Sequence, residues 1–527
     1  MFAALEKQIQ DELVSQSIPG FSMAIVRGRE VVYANGFGVT NKEEGGIPVT
    51  ANTLFRIGSL SKPLTATAIM RLVDLGKLNI DVPIQSYVPF FTLQDAAAAQ
   101  TITLRMLLSH TAGLPDGTDM VGSRDLDALE QYIKQDVPQL ALIAPPGLIF
   151  SYSNHGYNIA GYVAEYVTKT YFPDLMQEIL FKPLGMSRTF YDPLMAMTFP
   201  LALGHERTES NEVVVRPFYD NAANYPSWFA MSTAVDYAKF LLLHLQAGRI
   251  DDQPILTASA IDEMQTSQVS RYNLQQLGCG LSFITERYKG IQTIRHGGAI
   301  GTYTSFMLAV PEQELAIVTM SSQDYGIDLA YDILDQLLET EPSQEILPKK
   351  TPNHSKWKSY TGHYLGNLNG LVEIFADGHH LKMRLNGTEL MLHTFDENLY
   401  FTQDANGEPG MTVGFVIDEE EETPFIVLNG QTCKRMDSEQ LMQPQINVSS
   451  FEGMYSNGAI SFGLTVKGDQ LILLDEDQEY YCQPLFGHFF YTNEQGLLEI
   501  GEIERQRTLI IQGSWSFEAV ESSKLQR

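Results

Sequence analysis

The sequence contains few cysteines and no cluster of metal-binding residues. Only three cysteines occur among 527 residues, at Cys279, Cys433 and Cys482. This odd, scattered set excludes a disulfide framework and a cysteine zinc site, and it indicates buried thiols in a reducing compartment. The pair His379 and His380 has no carboxylate or cysteine at ligand spacing, so we predict no metal site. Phosphate-binding glycine loops are also missing, and no cofactor is predicted.

Basic residues and long apolar runs are scarce as well. The chain has 35 Lys and Arg against 64 Asp and Glu, a net charge of −29. This balance argues against binding to nucleic acid or to an anionic membrane. No apolar run reaches the ~18 residues of a spanning helix, and the N-terminal residues lack the apolar core of a secretory signal. We therefore expect a cytoplasmic protein; a periplasmic or secreted location stays open if the chain is a processed form.

The order of predicted elements indicates an α+β domain over residues 1–340. A strand hairpin is expected at 22–26 and 31–33, and a mostly helical stretch follows at 102–245. After it, strands are predicted at 281–284, 293–295, 304–310 and 315–321, then a helix at 328–338. Strands at both ends of a helical segment predict a sheet that joins early and late parts of the chain.

The remaining residues predict two small β-domains. Residues 341–356 are rich in Pro, Lys, Ser and Asn and are typical of a linker. Beyond them, short alternating strands are separated by turns, and the pattern Tyr-x-Gly-x-Tyr at 360–364 is echoed by Phe-x-Gly-x-Tyr at 451–455. This internal repeat predicts two small antiparallel β-barrels, at 357–440 and 447–527.

The strongest chemical signal is a serine and a lysine at the start of an apolar helix. Ser59 and Lys62 are three residues apart, so we expect their side chains on one face of the first helical turn. A nearby amine and the N–H groups of the helix start are the parts of an activated serine nucleophile with half an oxyanion hole. The same spacing recurs at Ser355 and Lys358, but in a polar stretch without an apolar helix, which indicates a chance match.

Two further segments supply groups that such a nucleophile needs. Tyr152 and Asn154 follow Pro145-Pro146-Gly147 and enter an apolar helix, a turn that can hold two side chains rigidly. The glycines after His296, Gly297 and Gly298, allow a substrate to approach the backbone between two predicted strands. By contrast, the burial expected for His110 favours a structural hydrogen bond over a catalytic role.

With these motifs in this order, residues 1–340 resemble the penicillin-recognising serine hydrolases. The resemblance extends to residues 107–114 and 181–186. Within that family, the chain resembles the branch that contains class C β-lactamases, D-aminopeptidases and related esterases. It implies a catalytic domain with an antiparallel sheet and a helical subdomain. The tail looks like that of D-aminopeptidase, which implies two lipocalin-like barrels behind the catalytic domain.

The resemblance also implies a role for each motif residue. Ser59 attacks the carbonyl and carries the acyl group, and Lys62 shares proton transfer with Tyr152. Asn154 orients the substrate amide, and His296 assists Tyr152 or the leaving group. Gly297 and Gly298 border the substrate, while the N–H groups of Ser59 and Ala299 form the oxyanion hole. Whether Lys62 or Tyr152 is the base is left open.

One departure from the family pattern bears on the substrate. Many β-lactamases and penicillin-binding proteins have Lys-Thr-Gly where this chain has His296-Gly297-Gly298, and no Lys-x-Gly occurs anywhere. The missing cation weakens the case for β-lactams and favours an aminopeptidase acting on small molecules or short peptides. A carboxylesterase or weak β-lactamase is the alternative enzyme, and a non-catalytic penicillin- or peptide-binding protein is the alternative of another class. A homo-oligomer is left open.

An acidic turn in the second predicted barrel is a candidate gating loop. Asp475, Glu476 and Asp477 follow an apolar strand. By resemblance to D-aminopeptidase, a barrel loop narrows the active site and pairs a carboxylate with the substrate ammonium. The competing interpretation is a solvated hairpin tip.

Overall fold

The chain forms two compact units. In the computed structural model, the first unit consists of residues 1–114, 119–270 and 277–345, and the second of 115–118, 271–276 and 346–527. No helix within the described part of the chain is long and apolar enough to cross a membrane. The structure describes every residue except 1, 44, 208–212, 251–252, 339–350, 419, 421, 457–460, 469, 476–477, 494, 504–505, 512–514 and 521–527.

An eight-stranded antiparallel sheet forms the centre of the first unit. Its strand order, β2-β1-β14-β13-β12-β11-β10-β9, sets the N-terminal hairpin beside the last strands and confirms the predicted joining of early and late segments. Short two-stranded ribbons complete the unit. The strands are β1 (Gly20–Arg27), β2 (Glu30–Gly38), β3 (Phe55–Arg56), β4 (His205–Arg207), β5 (Val213–Val215), β6 (Met231–Ser232), β7 (Arg249–Ile250), β8 (Gln253–Pro254), β9 (Val269–Ser270), β10 (Gly278–Cys279), β11 (Ile284–Tyr288), β12 (Ile291–Ile300), β13 (Tyr303–Val310) and β14 (Leu315–Ser321).

Helices cover both faces of this sheet. One face packs against the first and last helices of the unit, and the first of these buries Leu5, Ile9 and Leu13 at helical spacing. The other face packs against the helical subdomain in a much larger core. Because both faces are covered, the central strand β14 is buried along its whole length. The helices are α1 (Phe2–Ser15), α2 (Ser61–Asp74), α3 (Ala96–Ala99), α4 (Leu104–Leu108), α5 (Ala128–Gln135), α6 (Asn154–Thr168), α7 (Phe172–Met176), α8 (Pro193–Ala196), α9 (Tyr225–Trp228), α10 (Ala234–Leu245), α11 (Ala258–Gln265) and α12 (Ile327–Leu337).

Two strand predictions differ from the structure. The strand expected at 281–284 is a tight turn, in which Gly280 N–H donates to Phe283 O at 2.8 Å and Ser282 has φ +87°; β11 begins only at Ile284. The glycines Gly297 and Gly298 were expected between two strands but lie inside β12, which continues to Ile300. The pairing of β12 with β13 keeps these glycines extended.

The second unit contains two closed eight-stranded antiparallel barrels, as predicted. Each ring closes by pairing its first strand with its last. Two short helices, α13 (Trp357–Tyr360) and α14 (Ser438–Leu441), lie outside the barrel strands. The first barrel consists of β15 (Gly362–Gly366), β16 (Gly370–Asp377), β17 (His380–Leu385), β18 (Thr388–Asp396), β19 (Leu399–Gln403), β20 (Pro409–Val416), β21 (Phe425–Leu428) and β22 (Gln431–Met436). The second consists of β23 (Gly453–Ser456), β24 (Ser461–Lys467), β25 (Gln470–Asp475), β26 (Gln478–Phe486), β27 (Phe489–Thr492), β28 (Gly496–Ile503), β29 (Gln506–Ile511) and β30 (Trp515–Val520).

The repeated aromatic-x-Gly-x-Tyr pattern has the same structure in both barrels. Tyr364 donates its hydroxyl to Tyr360 O at 2.7 Å, and Tyr455 donates to Phe451 O at 2.6 Å. Both tyrosines are completely buried at the first strand of their barrel. The hydroxyl therefore satisfies a backbone carbonyl at the entry of each barrel, which explains why the second aromatic position is Tyr in both copies.

Candidate active site

Ser59 lies in a short 3₁₀ turn that leads into α2. The turn spans Gly58–Leu60, and α2 begins at Ser61, so Ser59 precedes the α-helix rather than lying in its first turn as predicted. Gly58 has φ +50°, and a Cβ there would lie 2.6 Å from Ala299 N. Only glycine allows the turn to approach the edge of β12 this closely.

Ser61 fixes the shape of this turn. Its hydroxyl donates to Gly58 O at 2.7 Å and accepts from Ala230 N–H at 3.0 Å. Ile57 N–H also donates to Ala230 O at 3.0 Å. These bonds attach the nucleophile turn to Ala230 from both ends. The position of Ser59 is therefore fixed by these hydrogen bonds as well as by the start of α2.

Lys62 is fully buried and contacts three acceptors. Its Nζ donates to Ser59 Oγ at 3.0 Å, to Asn154 Oδ1 at 2.5 Å and to Ser227 O at 3.1 Å. Two of these acceptors are carbonyl oxygens, which cannot donate a proton. When the amine is neutral, its two N–H groups can satisfy the carbonyls, and its lone pair then faces Ser59. The arrangement can therefore accept the serine proton.

Tyr152 contacts the same serine oxygen. Its hydroxyl lies 2.9 Å from Ser59 Oγ, and Lys62 Nζ lies 4.8 Å from the centre of its ring. The ring of His110 stacks on the tyrosine ring with centroids 4.4 Å apart. His110 Nδ1 accepts from Ser153 N–H at 3.0 Å, which positions the ring beneath Tyr152. This is the buried structural geometry expected for His110.

Asn154 is the first residue of α6. The helix is capped by Ser153, whose hydroxyl accepts from Gly156 N–H at 3.2 Å. The cap fixes the direction of Asn154, whose side chain reaches Lys62. A contact that orients a substrate amide, as the resemblance implies, stays a prediction.

Strand β12 approaches the nucleophile turn through Gly298. A Cβ at Gly298 would lie 2.2 Å from Ile57 O, whereas one at Gly297 would meet only Phe306, at 3.9 Å. Ser305 on β13 donates its hydroxyl to the same Ile57 O at 2.7 Å. This contact sets the backbone of Ala299 beside the turn, where two N–H groups can converge on one oxyanion.

His296 is buried on the same strand. Its Nδ1 lies 2.6 Å from Gly297 O. Since a carbonyl only accepts, Nδ1 carries the proton and Nε2 is an acceptor in the neutral ring. The assistance to Tyr152 or to the leaving group remains a prediction.

Three groups at this site were missed in the sequence. They are the hydroxyl of Ser61, the carbonyl of Ser227 and the guanidinium of Arg56, which is described below. A backbone carbonyl leaves no signal in side-chain identity, so Ser227 could not have been found. Ser61 stands within Ser59-Leu60-Ser61-Lys62 and could have been identified as a cap of the turn.

The candidate gating loop is only partly described. Asp475 ends β25, and its carboxylate accepts from Gln495 Nε2 at 3.2 Å. Glu476 and Asp477 lie outside the described residues. The gating role therefore stays a prediction.

Comparison with known proteins gives the family. Residues 2–340 match the family model named Beta-lactamase, which is more than half of the chain. The chain belongs to the beta-lactamase family of serine hydrolases. Penicillin-binding protein 4 of Amycolatopsis lactamdurans is 27% identical over 329 residues, which cover 61% of this chain and 85% of that protein. Protein flp of Staphylococcus aureus strain N315 is 26% identical, and the match spans 60% of this chain and 62% of the relative.

Solved structures extend the similarity into the second unit. An octameric penicillin-binding protein homologue from Pyrococcus abyssi is 25% identical with a TM-score of 0.57, and the match covers 82% of this chain and 99% of that one. SurE with D-Leu shares the fold at 22% identity and a TM-score of 0.63, with 82% and 99% covered. A D-alanine carboxypeptidase AmpC from Burkholderia cenocepacia is 25% identical, with a TM-score of 0.52 and 63% and 97% covered.

Proposed function

We propose that the protein is a D-aminopeptidase-like peptidase that works through an acyl-enzyme on Ser59. The observation that carries this proposal is the position of Ser59 Oγ between Lys62 Nζ at 3.0 Å and Tyr152 Oη at 2.9 Å. A hydroxyl between two proton-transfer groups is the arrangement of an activated nucleophile.

The reaction then follows from the positions of these groups. Ser59 Oγ forms a bond to the substrate carbonyl carbon while its proton moves to Lys62 or Tyr152. The N–H groups of Ser59 and Ala299 stabilise the oxyanion. The bond to the amine breaks as that amine takes the proton, and water then releases the acid from Ser59 by the reverse proton path.

The histidine of the motif His296-Gly297-Gly298 supports the aminopeptidase branch. His296, with Nδ1 donating to Gly297 O, stands where many relatives have the lysine that holds a substrate carboxylate. A substrate with a free amino group also suits a protein with a net charge of −29. We therefore expect benzylpenicillin to be a slow acylator or a poor substrate.

A substrate panel tests the proposal. Release of p-nitroaniline from D- and L-amino acid anilides is compared with hydrolysis of p-nitrophenyl esters and of benzylpenicillin, with Ser59→Ala as the matched control. We expect the D-anilides to be hydrolysed fastest and every activity to disappear in Ser59→Ala. Preference for esters would favour a carboxylesterase, and efficient penicillin turnover a β-lactamase. Tight penicillin binding without turnover or covalent adduct would favour a non-catalytic binding protein.

We also propose an oligomeric state and a cellular location. The octameric homologue from Pyrococcus abyssi supports a homo-oligomer for this chain. Light scattering coupled to size exclusion measures the mass against the 58.9 kDa of one chain, and a mass of one chain would reject the oligomer. A cytoplasmic location stays a prediction, which cell fractionation with the natural host tests.

A further inference from the structure

Arg56 is a buried cation on the strand that leads to the nucleophile. It lies on β3, opposite Met231 of β6 and three residues before Ser59. The residue is 3% exposed, and its guanidinium contacts two phenyl rings, 4.5 Å from the centre of Phe218 and 4.8 Å from that of Phe229. Two such cation–π contacts hold the flat guanidinium and both rings in one stack.

The charge of Arg56 is only partly compensated. Its Nε has no hydrogen-bond partner in the part of the chain that the structure describes. Burial lowers its pKa to about 10, while Asp220, Tyr225 and Tyr303 act in the opposite direction. The carboxylate of Asp220 also has other partners, since it accepts from Tyr225 Oη at 3.1 Å and pairs with Arg124 Nε at 2.9 Å. Arg56 therefore stays charged near neutral pH at a cost to stability.

That cost needs a reason other than packing. Replacing a buried charge by an apolar side chain of similar size is often neutral or stabilising. A methionine would fill the space between Phe218 and Phe229 without desolvating a cation. A benefit of the charge can come instead from what the stack holds in place.

The stack joins the two chain segments that meet at Lys62. One segment is β3, which continues into Ser59. The other is 218–229, which contains Ser227, two residues before Phe229. Ser227 O accepts from Lys62 Nζ at 3.1 Å. A shift of Phe229 would change this bond directly through the backbone.

We propose that Arg56 is a positioning residue that holds the Ser227 carbonyl against Lys62 and so sets the protonation of that amine. The inference rests on the proposed role of Lys62 in proton transfer. A carbonyl acceptor favours the charged form of an amine. Loss of the bond should therefore make Lys62 neutral at lower pH. Among the described residues, the titratable groups with rings close to Lys62 are Tyr152 and Tyr157, whose ring centres lie 4.8 and 5.6 Å from Nζ.

The rate at which a fluorophosphonate labels Ser59 tests this role without a known substrate. In Arg56→Met we expect labelling on the order of 10-fold slower at its optimum, because misplaced proton-transfer groups lose part of their effect. The acid limb of the pH–rate profile should move downward by about one pH unit. Loss of the Arg56 charge alone would favour protonated Lys62 and move the limb upward, so a downward shift identifies the lost bond.

Arg188→Met is the matched control. Arg188 also stacks on a phenylalanine, Phe199, at 5.5 Å, but its guanidinium donates to Asn52 O. We expect its rate and pH profile to overlay those of the parent protein. An Arg56→Met profile with an unmoved acid limb would overturn the inference.

A second variant tests the positioning role of Arg56 if Arg56→Met does not fold. Arg56→Lys keeps the charge and loses the flat contact with both rings, so its acid limb should move in the same direction by a smaller amount. Near-UV circular dichroism of the buried Trp228, beside Phe229, reports whether each variant is folded. An unmoved limb in folded Arg56→Lys overturns the inference. Absence of labelling in the parent protein would instead reject the proposed function.

Discussion

The two copies of Ser-x-x-Lys in this chain have the same spacing and opposite surroundings. Lys62 is fully buried and donates to Ser59, Asn154 and Ser227. Ser355 and Lys358 are exposed, and the Ser355 hydroxyl donates to Asn353 in a short turn. The motif alone therefore carries no chemistry, because the reactivity comes from the acceptors that the fold places around the lysine.

Removal of the two serines should show the largest difference. Ser59→Ala should abolish turnover of the best substrate, because no other group can carry the acyl chain. Ser355→Ala should retain the full rate. Residual acyl transfer of Ser59→Ala above the background rate, or loss of activity in Ser355→Ala, would reverse the assignment of the two copies.

Removal of the two lysines should show a smaller difference in activity between the two copies. Lys62→Ala should lower kcat by ~10²–10⁴-fold, the contribution of a positioned proton-transfer group. Lys358→Ala should be unchanged. Tyr152→Phe should cost a similar factor, and the double variant should lose less than the product of the two, because both groups act on one oxygen. Near-normal steady-state kinetics in Lys62→Ala would contradict a shared proton relay.

The glycines of β12 extend the comparison, because Gly298 lies against the turn of the first copy. Gly298→Ala should destabilise the first unit by roughly 1–3 kcal/mol, since its Cβ would overlap Ile57 O. Gly297→Ala, whose Cβ would make only an ordinary contact with Phe306 at 3.9 Å, should leave the unfolding midpoint in urea unchanged. Equal urea midpoints for both variants would contradict the close approach of Gly298 to Ile57 O.

The last comparison, of pH dependence, concerns histidines beside the two copies. His244 contacts Thr67 of α2 at 3.0 Å, and burial lowers its pKa to about 3. Because the unfolded chain binds this proton near pH 6.5, stability should be full above that pH and fall as pH drops toward 3. Relative to that of the parent protein, the free energy of unfolding of His244→Gln should increase by on the order of 2–4 kcal/mol from pH 7 to pH 4.

His354→Gln, at the exposed copy, is the control for the substitution itself. Its urea midpoint at pH 7 should equal that of the parent protein. The same pH dependence in His244→Gln and the parent would show that His244 does not contribute to acid sensitivity.

Much of the fold could be predicted from periodicity and repeats. The sheet that joins β1 and β14, the helical subdomain and both barrels follow from where strand and helix patterns alternate along the chain. Strand ends could not be predicted where a single turn decides them. Ser282, for example, donates its N–H to Leu108 O at 2.9 Å, a contact distant in sequence that ends the predicted strand.

The candidate site was predictable to a different degree. Ser59, Lys62, Tyr152 and Asn154 were expected together and meet within hydrogen-bond distance. The carbonyl of Ser227 and the stack on Arg56 depend on tertiary packing of residues 218–229. No local pattern encodes that packing.

The most direct test of the account is the position of the covalent adduct. The protein is incubated with a fluorophosphonate, digested, and mapped by mass spectrometry beside Ser59→Ala. We expect one adduct per chain, on the peptide that contains Ser59, and none in the variant. An adduct on Ser355 or another residue, or an equal yield in Ser59→Ala, would contradict an acyl-enzyme at Ser59.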